Sequence, residues 1–348
     1  MIMQYAQIAL IAFIGFILNL FIIKKSDLFQ RISNQYNPIQ KIHEGYVPPL
    51  GGAVIITCFF LYLILFQRGS FLFQWFILIP LAMILLIGLI EDLKSTISPT
   101  TRLFIIFLGS IIFCISNNKY PSLEIYFIGD LINNNLWIKV LFYSLCLTAL
   151  ANGTNMIDGM NGLAGFSLLI ITICLISLSI LYSNIELEIK SLVAILVLII
   201  IFLIFNFPWG KIFLGDSGSY GLGWLLGVHI IMIFNSSSLN TWTAVIILFY
   251  PVAEVVFSTI RKLIQKKNPM QPDLNHLHLK LYALLKGPTN RNQHFNSFTT
   301  LCLMPFWFSP VLLIMWTNYY AHLAIYFLVL MVILYIAYYF AIPSKNEN

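Results

Sequence analysis

The chain has 348 residues, of which 59% are hydrophobic and only 9% are charged. A soluble globular protein is about a quarter charged, so this chain has too few charged residues to cover a surface exposed to water. The composition therefore excludes a soluble enzyme, a secreted disulfide-stabilised protein and a disordered protein. The net charge of +6 is typical of positive charge on inner membrane loops, and no nucleic-acid partner is expected.

Apolar segments long enough to cross a hydrocarbon core, about 20 residues each, recur along the whole chain. They predict an all-α integral membrane protein, with residues 1–348 forming a single polytopic domain. The eleven expected transmembrane helices are Tyr5–Ile23, Leu50–Phe66, Phe71–Ile90, Leu103–Ser116, Leu136–Ala151, Leu163–Tyr182, Ser191–Phe207, Tyr220–Phe234, Thr241–Ile260, Phe298–Trp316 and Tyr319–Ile342.

The distribution of cationic residues predicts how these helices are oriented. With the N-terminus outside and the C-terminus in the cytoplasm, 15 of the 19 Lys and Arg lie on the inner side. Nine of the 13 Asp and Glu lie there as well, which is a first indication of chemistry on that face. The cytoplasmic loops are expected at about 24–49, 91–102, 152–162, 208–219 and 261–297.

Two of the inner loops are rich in oxygen ligands. Glu91 and Asp92 are adjacent carboxylates whose repulsion a cation, or the neighbouring Lys94, would relieve. Asn155 and Asp158 share a face if their segment makes a helical turn, and their oxygens suit Mg²⁺. A solvated helix end and ordinary turn chemistry are the structural alternatives.

The loop before the eighth span combines one acid with a glycine-rich turn, in the sequence FLGDSGSYGLG. Ser217 can cap the following helix, whose first N–H groups would then favour an anion. Beside a metal-binding Asp216, this arrangement would form a cradle for a diphosphate. The alternative is a capped helix entry with a flexible turn.

The first and last inner loops carry the cationic candidates for phosphate binding. Lys41 and His43 precede Gly51 and Gly52, which would let backbone approach a phosphate closely. An ordinary basic loop is the alternative.

In the last loop, His276 and His278 alternate, so an extended segment would present both on one side. Glu254 lies seven residues before Arg261, which suggests an ion pair at a helix end. Solvated loop histidines are the alternative to a functional pair.

Five motifs occur in order: HEGYVPPLGG, GLIEDLK, NGTNMIDGMNGLAG, FLGDSGSYGLG and PDLNHLHL. The series resembles the polyprenyl-phosphate N-acetylhexosamine-1-phosphate transferases, of the glycosyltransferase family 4 type. The sugar-transferring branch of this superfamily initiates O-antigen, common-antigen and teichoic-acid synthesis. The resemblance implies that undecaprenyl phosphate attacks a UDP-N-acetylhexosamine at the cytoplasmic face of a bacterial inner membrane, giving undecaprenyl-diphosphate-sugar and UMP. It also implies Mg²⁺, with Mn²⁺ as the alternative, and a homodimer.

The resemblance and the motifs together nominate the site residues. Asp216 and Asn155 are expected to bind the metal. The expected catalytic residues are Glu91, Asp92, Asp158 and His278. The expected substrate-binding residues are Lys41, His43, Lys94, Asn155, Asn161, Arg261 and His276.

Three positions depart from the pattern of the superfamily. It usually has Asp where Glu91 and Asn161 stand, and often a further His where Leu279 stands. The shorter histidine motif disfavours the phospho-MurNAc-pentapeptide translocase of peptidoglycan synthesis. A multi-span transporter and a catalytically silent homologue are the other interpretations, and the sequence does not predict which UDP-sugar is used.

Overall fold

The computed structural model describes residues 2–32, 46–124, 128–182, 186–236, 239–271, 273–287 and 294–343. Within those ranges the chain forms helices and turns, with no β-strand. The α-helices are α1 Ile2–Lys24, α2 Ser26–Ile32, α3 Gly51–Phe66, α4 Trp75–Lys94, α5 Pro99–Ser116, α6 Ile128–Asn134, α7 Leu136–Met156, α8 Leu163–Tyr182, α9 Glu186–Asn206, α10 Gly215–Ser236, α11 Thr241–Ile247, α12 Phe249–Ile264, α13 Leu277–Lys286, α14 His294–Cys302, α15 Met304–Tyr319 and α16 Ala321–Ala341.

Helical segments long and apolar enough to cross a membrane account for most of this architecture. The described residues contain nine of them, and α11 and α12 satisfy the same test as a pair. The remaining apolar segment, α3, is a helix of 16 residues. Every apolar segment predicted from the sequence therefore coincides with helical structure, as expected for an integral membrane protein.

Helix α10 is the centre of the bundle, because its apolar stretch is entirely buried. It packs against α3, α4, α7 and α8. At the crossing with α3, a Cβ atom on Gly218 would lie 2.3 Å from the Cα atom of Gly52. Only glycines at this crossing allow the two backbones to approach so closely. This contact fixes the N-terminal end of α10 against α3.

Several residues predicted in loops belong to helix ends instead. The segment from Asn152 to Met156 completes α7, and the segment from Gly215 to Ser219 opens α10. Helix α5 begins at Pro99, where the hydroxyl of Ser98 accepts a hydrogen bond from the N–H of Thr101. Serine before proline is a standard helix start, because proline at the first position loses no intrahelical bond. Asn155, Asp216 and Arg102 therefore lie on helix ends, whereas Asp158 lies in the turn between α7 and α8.

The predicted ninth span is broken. Helices α11 and α12 meet at 81° around Leu248. Pro251 lies in the first turn of α12 and has no N–H to donate to the preceding turn, which favours a new helix start there. The bend turns α12 away from the direction of α11, and it gives α12 a buried face that carries Glu254.

Candidate active site

Two carboxylates hold the N-terminus of α10. Asp92, at the end of α4, accepts hydrogen bonds from the backbone N–H of Asp216 at 2.8 Å and of Ser217 at 3.0 Å. Asp158 accepts from the N–H of Gly215 at 3.0 Å. Gly215 has a φ of +76°, which glycine adopts without steric cost. Carboxylates here accept hydrogen bonds from N–H groups that lack partners within the helix. They also interact favourably with the positive end of the helix dipole.

This arrangement corrects two expectations. Ser217 lies inside the first turn, and Asp92 provides the cap in its place. The first N–H groups of α10 bind protein carboxylates, so they do not form a diphosphate cradle. The N–H groups of Gly51 and Gly52 donate to the carbonyls of Phe213 and Leu214, each at 2.9 Å, so they too are not directed at a phosphate.

The side chain of Asp216 points away from the helix, towards α5 and α7. Its Oδ1 accepts a hydrogen bond from Nδ2 of Asn155 at 2.8 Å, and its Oδ2 pairs with the guanidinium of Arg102. Nη1 of Arg102 lies 3.7 Å from Oε1 of Glu91, whose Oε2 accepts from the N–H of Ile97. A fifth of the Asp216 side chain is exposed. We call Glu91, Asp92, Asp158 and Asp216 the acidic cluster.

Sequence reasoning missed Arg102. It is one of two cationic residues in the second inner loop, and the sequence analysis uses it only to predict the orientation of the helices in the membrane. The signal that could have found it is the helix start at Ser98 and Pro99, which places Arg102 in the first turn of α5. There it faces Glu91 and Asp216 rather than solvent.

The acidic cluster brings four carboxylates together. Glu91 and Asp216 pair with the guanidinium of Arg102, whereas Asp92 and Asp158 accept hydrogen bonds from backbone N–H groups. Removal from water raises the pKa of Asp158 well above its ordinary value, although the N–H of Gly215 opposes that rise. A buried group in this situation either takes up a proton or binds a cation.

The donor set fits Mg²⁺ held partly by substrate. In the described part of the chain, no three Asp, Glu, His or Cys side chains form a preassembled metal cage. Mg²⁺ is commonly bound by one or two carboxylates, with phosphates and waters completing its octahedron. Asp216 and Asn155 offer such oxygens at the partly exposed edge of the cluster.

A second cluster contains both histidines of the PDLNHLHL motif. The carboxylate of Glu254 is 1% exposed, with Oε2 at 3.1 Å from Nδ1 of His276 and Oε1 at 3.9 Å from Nδ1 of His278. The two imidazole rings stack with centroids 5.7 Å apart. Helix α13 begins between them, so the expectation of an extended segment is wrong, although the rings are adjacent. We call Glu254, His276 and His278 the histidine cluster.

The sequence suggested an ion pair between Glu254 and Arg261, but Arg261 pairs with Asp273 instead. Burial tends to raise the pKa of Asp273, but the Arg261 guanidinium outweighs it and holds that pKa below its ordinary value. Nζ of Lys262 donates to the carbonyls of Pro269 and Gln271 at 3.1 and 2.7 Å. The segment before the histidines is therefore fixed to α12, and Arg261 acts within that attachment.

The two clusters lie side by side. A Cβ atom on Gly159 would be 2.9 Å from Nε2 of His278, so this nitrogen is directed at the turn that carries Asp158. Burial lowers the pKa of His278 below its ordinary value, although the Glu254 carboxylate opposes the shift. A substrate lying against Asp216 and Asp158 would therefore have the imidazole of His278 within reach.

Comparison with known proteins identifies the family of the chain. Residues 74–234 match the model of "Glycosyl transferase family 4". The "Undecaprenyl-phosphate alpha-N-acetylglucosaminyl 1-phosphate transferase" of Thermotoga maritima is 31% identical over 258 residues, which cover 73% of each chain. The chain belongs to the polyprenyl-phosphate N-acetylhexosamine-1-phosphate transferase superfamily. It is accordingly an enzyme of the sugar-phosphate transferase class, and the transporter interpretation is set aside.

Other relatives come from two branches of the superfamily. The "Probable undecaprenyl-phosphate N-acetylglucosaminyl 1-phosphate transferase" of Bacillus subtilis is 27% identical over 292 residues, covering 78% of this chain and 77% of the relative. The "Phospho-N-acetylmuramoyl-pentapeptide-transferase" of Dictyoglomus thermophilum is 29% identical over 246 residues, covering 65% and 76%. Membership is therefore shown, whereas the donor sugar is not.

Asn161, one of the departures from the superfamily pattern, is 2% exposed and bonded within the protein. Its Nδ2 donates to the carbonyl of Pro208 at 2.9 Å, and its own carbonyl accepts from the hydroxyl of Thr300 at 2.7 Å. Its N–H donates to the side chain of Asn296. These contacts join the α7–α8 turn to α14, so the geometry gives Asn161 a structural role and lends no support to substrate binding.

The remaining nominated residues are cationic. Lys94 is exposed at the end of α4, beyond the acidic pair. Lys41 and His43 lie outside the described residues, so their assignment to substrate binding stays a prediction.

Proposed function

We propose that the enzyme transfers an N-acetylhexosamine 1-phosphate from a UDP-sugar to undecaprenyl phosphate, releasing UMP and forming undecaprenyl-diphosphate-sugar. The relatives named for this reaction and the two adjacent clusters support the proposal. The reaction takes place at the cytoplasmic face of the bacterial inner membrane, with eleven crossings and the N-terminus outside. The positive-inside distribution of Lys and Arg supports this orientation.

The acidic cluster at the start of α10 carries the proposal. Two anionic substrates must approach each other, and an excess of carboxylates would repel both of them unless a cation binds between. Asp216 and Asn155 would hold Mg²⁺, which neutralises phosphate oxygens and makes phosphorus more electrophilic. Arg102 pairs with Asp216, so a cation bound to Asp216 would lie close to the guanidinium. Arg102 would then contact the same phosphates as the cation.

Asp92 acts by positioning α10. Both of its carboxylate oxygens accept backbone hydrogen bonds, and only 4% of the residue is exposed. A general base is not needed for the lipid phosphate, since the second pKa of a phosphate monoester is about 6. Asp92 therefore fixes Asp216 and Ser217 in place, and Glu91 keeps Arg102 beside Asp216.

We assign the departing UMP to the side of the histidine cluster. Nε2 of His278 is directed at the turn that carries Asp158. As an imidazolium, His278 would donate a hydrogen bond, or a proton, from Nε2 to the phosphate oxygen on which charge develops as the diphosphate bond breaks. The acidic cluster thus organises the attack, and the histidine cluster assists the leaving group.

The translocase reaction, with UDP-MurNAc-pentapeptide as donor, is the second candidate. It is supported by relatives named for that reaction. It uses the same acceptor and the same leaving group, so the site alone does not separate the two. The shorter histidine motif favours the sugar donor.

UMP release by the purified enzyme tests the proposal. The assay contains undecaprenyl phosphate, Mg²⁺ and, in separate reactions, UDP-GlcNAc, UDP-GalNAc, a UDP-6-deoxy-N-acetylhexosamine or UDP-MurNAc-pentapeptide. We expect UMP release that requires both the lipid and Mg²⁺, with an N-acetylhexosamine as the best donor. No release with any donor from folded protein, with UDP-sugar still bound, would indicate a silent homologue.

A further inference from the structure

Glu254 is a buried carboxylate on the face of α12 that also carries Tyr250 and Ser258, and the proposed reaction does not use it directly. Its side chain is 1% exposed. A carboxylate so far from water is costly unless charged or hydrogen-bonded partners surround it. Here the partners are the two imidazoles of the PDLNHLHL motif and, at 3.5 Å, the hydroxyl of Tyr250.

The geometry is directional. Oε2 lies 3.1 Å from Nδ1 of His276, within hydrogen-bond distance, whereas Oε1 lies 3.9 Å from Nδ1 of His278, the separation of an ion pair without a hydrogen bond. A carboxylate at Nδ1 keeps a proton on that nitrogen, and Nε2 is then the atom left to face the rest of the site. In His278, this Nε2 is directed at the Asp158–Gly159 turn.

The backbone around Glu254 is held as firmly as its side chain. Arg261 and Lys262, two turns further along α12, bind the segment before the histidines through Asp273, Pro269 and Gln271. That segment and the carboxylate therefore share one rigid support. The stacked rings have little freedom to rotate towards another partner.

We infer that Glu254 is a positioning residue, which holds Nδ1 of His276 by a hydrogen bond and lies beside Nδ1 of His278, so that Nε2 of His278 faces the leaving phosphate. This inference rests on the proposed function. Glu254 does not touch substrate, because both of its oxygens are directed at the rings. Its negative charge also stabilises an imidazolium. Protonation of Nε2 therefore costs less free energy when an anionic phosphate lies beside it.

A double-mutant cycle separates positioning from a general structural effect. Glu254→Gln keeps the shape and removes the charge, and we expect it to lower UMP release about 10- to 100-fold, as loss of an outer partner of a functional histidine does. The background for the cycle is His276→Asn with His278→Asn. Asparagine retains a donor near the position of Nδ1, so Glu254 keeps partners, but Nε2 is lost.

In that background we expect Glu254→Gln to change UMP release by less than about twofold. Multiplicative losses in the two backgrounds would overturn the inference, because Glu254 would then act independently of the histidines. Glu254→Asp keeps the charge on a shorter arm and should be more active than Glu254→Gln. Glu124→Gln, an exposed carboxylate far along the chain between α5 and α6, is the matched control without effect.

A measurement on the unmutated enzyme covers the case in which Glu254→Gln does not fold. Histidine-selective ¹⁵N NMR should show protonated Nδ1 in His276 and His278, identified by the loss of their signals in the asparagine variants, besides His229, whose Nδ1 donates to the carbonyl of Leu225. Unprotonated Nδ1 in both would overturn the inference. An unmutated enzyme that releases no UMP with any donor would instead refute the proposed function, so the two failures are distinguishable.

Discussion

The acidic cluster and the histidine cluster are neighbours whose carboxylates have different partners. In the acidic cluster, Glu91 and Asp216 share one guanidinium, Asp92 and Asp158 accept backbone hydrogen bonds, and Asp216 is partly open to solvent. In the histidine cluster, one fully buried carboxylate lies beside two imidazoles, which balance its charge only when one of them is protonated. We therefore expect the acidic cluster to bind a cation when the substrates are present, whereas in the second cluster Nε2 of His278 is directed at the turn that carries Asp158.

The largest expected effect comes from the open acid of the acidic cluster. Asp216→Asn should lower UMP release by at least about 10³-fold, because several kcal/mol of metal-mediated charge stabilisation depend on that carboxylate. The exposed Asp130 in α6 gives a matched control, Asp130→Asn, with parental activity expected. Near-normal turnover by Asp216→Asn would remove it from the metal site.

A smaller loss is expected in the histidine cluster. His278→Ala should lower UMP release about 10²-fold, the usual contribution of a positioned acid–base group. His322→Ala provides the control, since His322 is exposed at the start of α16 beside Tyr320 and Tyr326. Equal losses in the two variants would contradict the placement of the site.

The smallest effect on turnover is expected outside both clusters. Asn161→Ala removes the hydrogen bond to Pro208 and should cost about 1–3 kcal/mol of stability, visible as a lower melting temperature in detergent. The folded variant should keep its KM for the UDP-sugar within about twofold. A large rise in KM without loss of stability would restore Asn161 to substrate binding.

Much of the architecture could be predicted from sequence, because every membrane-spanning helix must be apolar enough to lie in the hydrocarbon core. Hydropathy measures this property directly. The breaks in the helices were harder to predict. Pro251 and Pro305 mark the starts of α12 and α15, but each lies within a continuous apolar segment that hydropathy interprets as one span. Proline geometry, rather than composition, decides these boundaries.

The site was predicted as a set of residue types and not as a set of contacts. The motifs nominated Asn155, Asp158 and Asp216, and the structure brings Asn155 to Asp216 and Asp158 to the adjacent Gly215. They did not reveal that Asp92 caps α10 or that Arg102 pairs with Asp216, since both contacts join residues more than 110 positions apart. Hydrogen bonds of that kind depend on the packing of α4, α5 and α10, which no local pattern encodes.

Divalent-cation binding by the acidic cluster is the central claim, and Mn²⁺ titration followed by electron paramagnetic resonance tests it most directly. The purified enzyme should bind Mn²⁺, Asp216→Asn should bind it at least about tenfold more weakly, and His278→Ala should bind it unchanged. Arg102→Met should bind it about tenfold more tightly, because the guanidinium competes for Asp216. Unchanged binding in Asp216→Asn together with weaker binding in His278→Ala would place the cation in the other cluster and contradict this account.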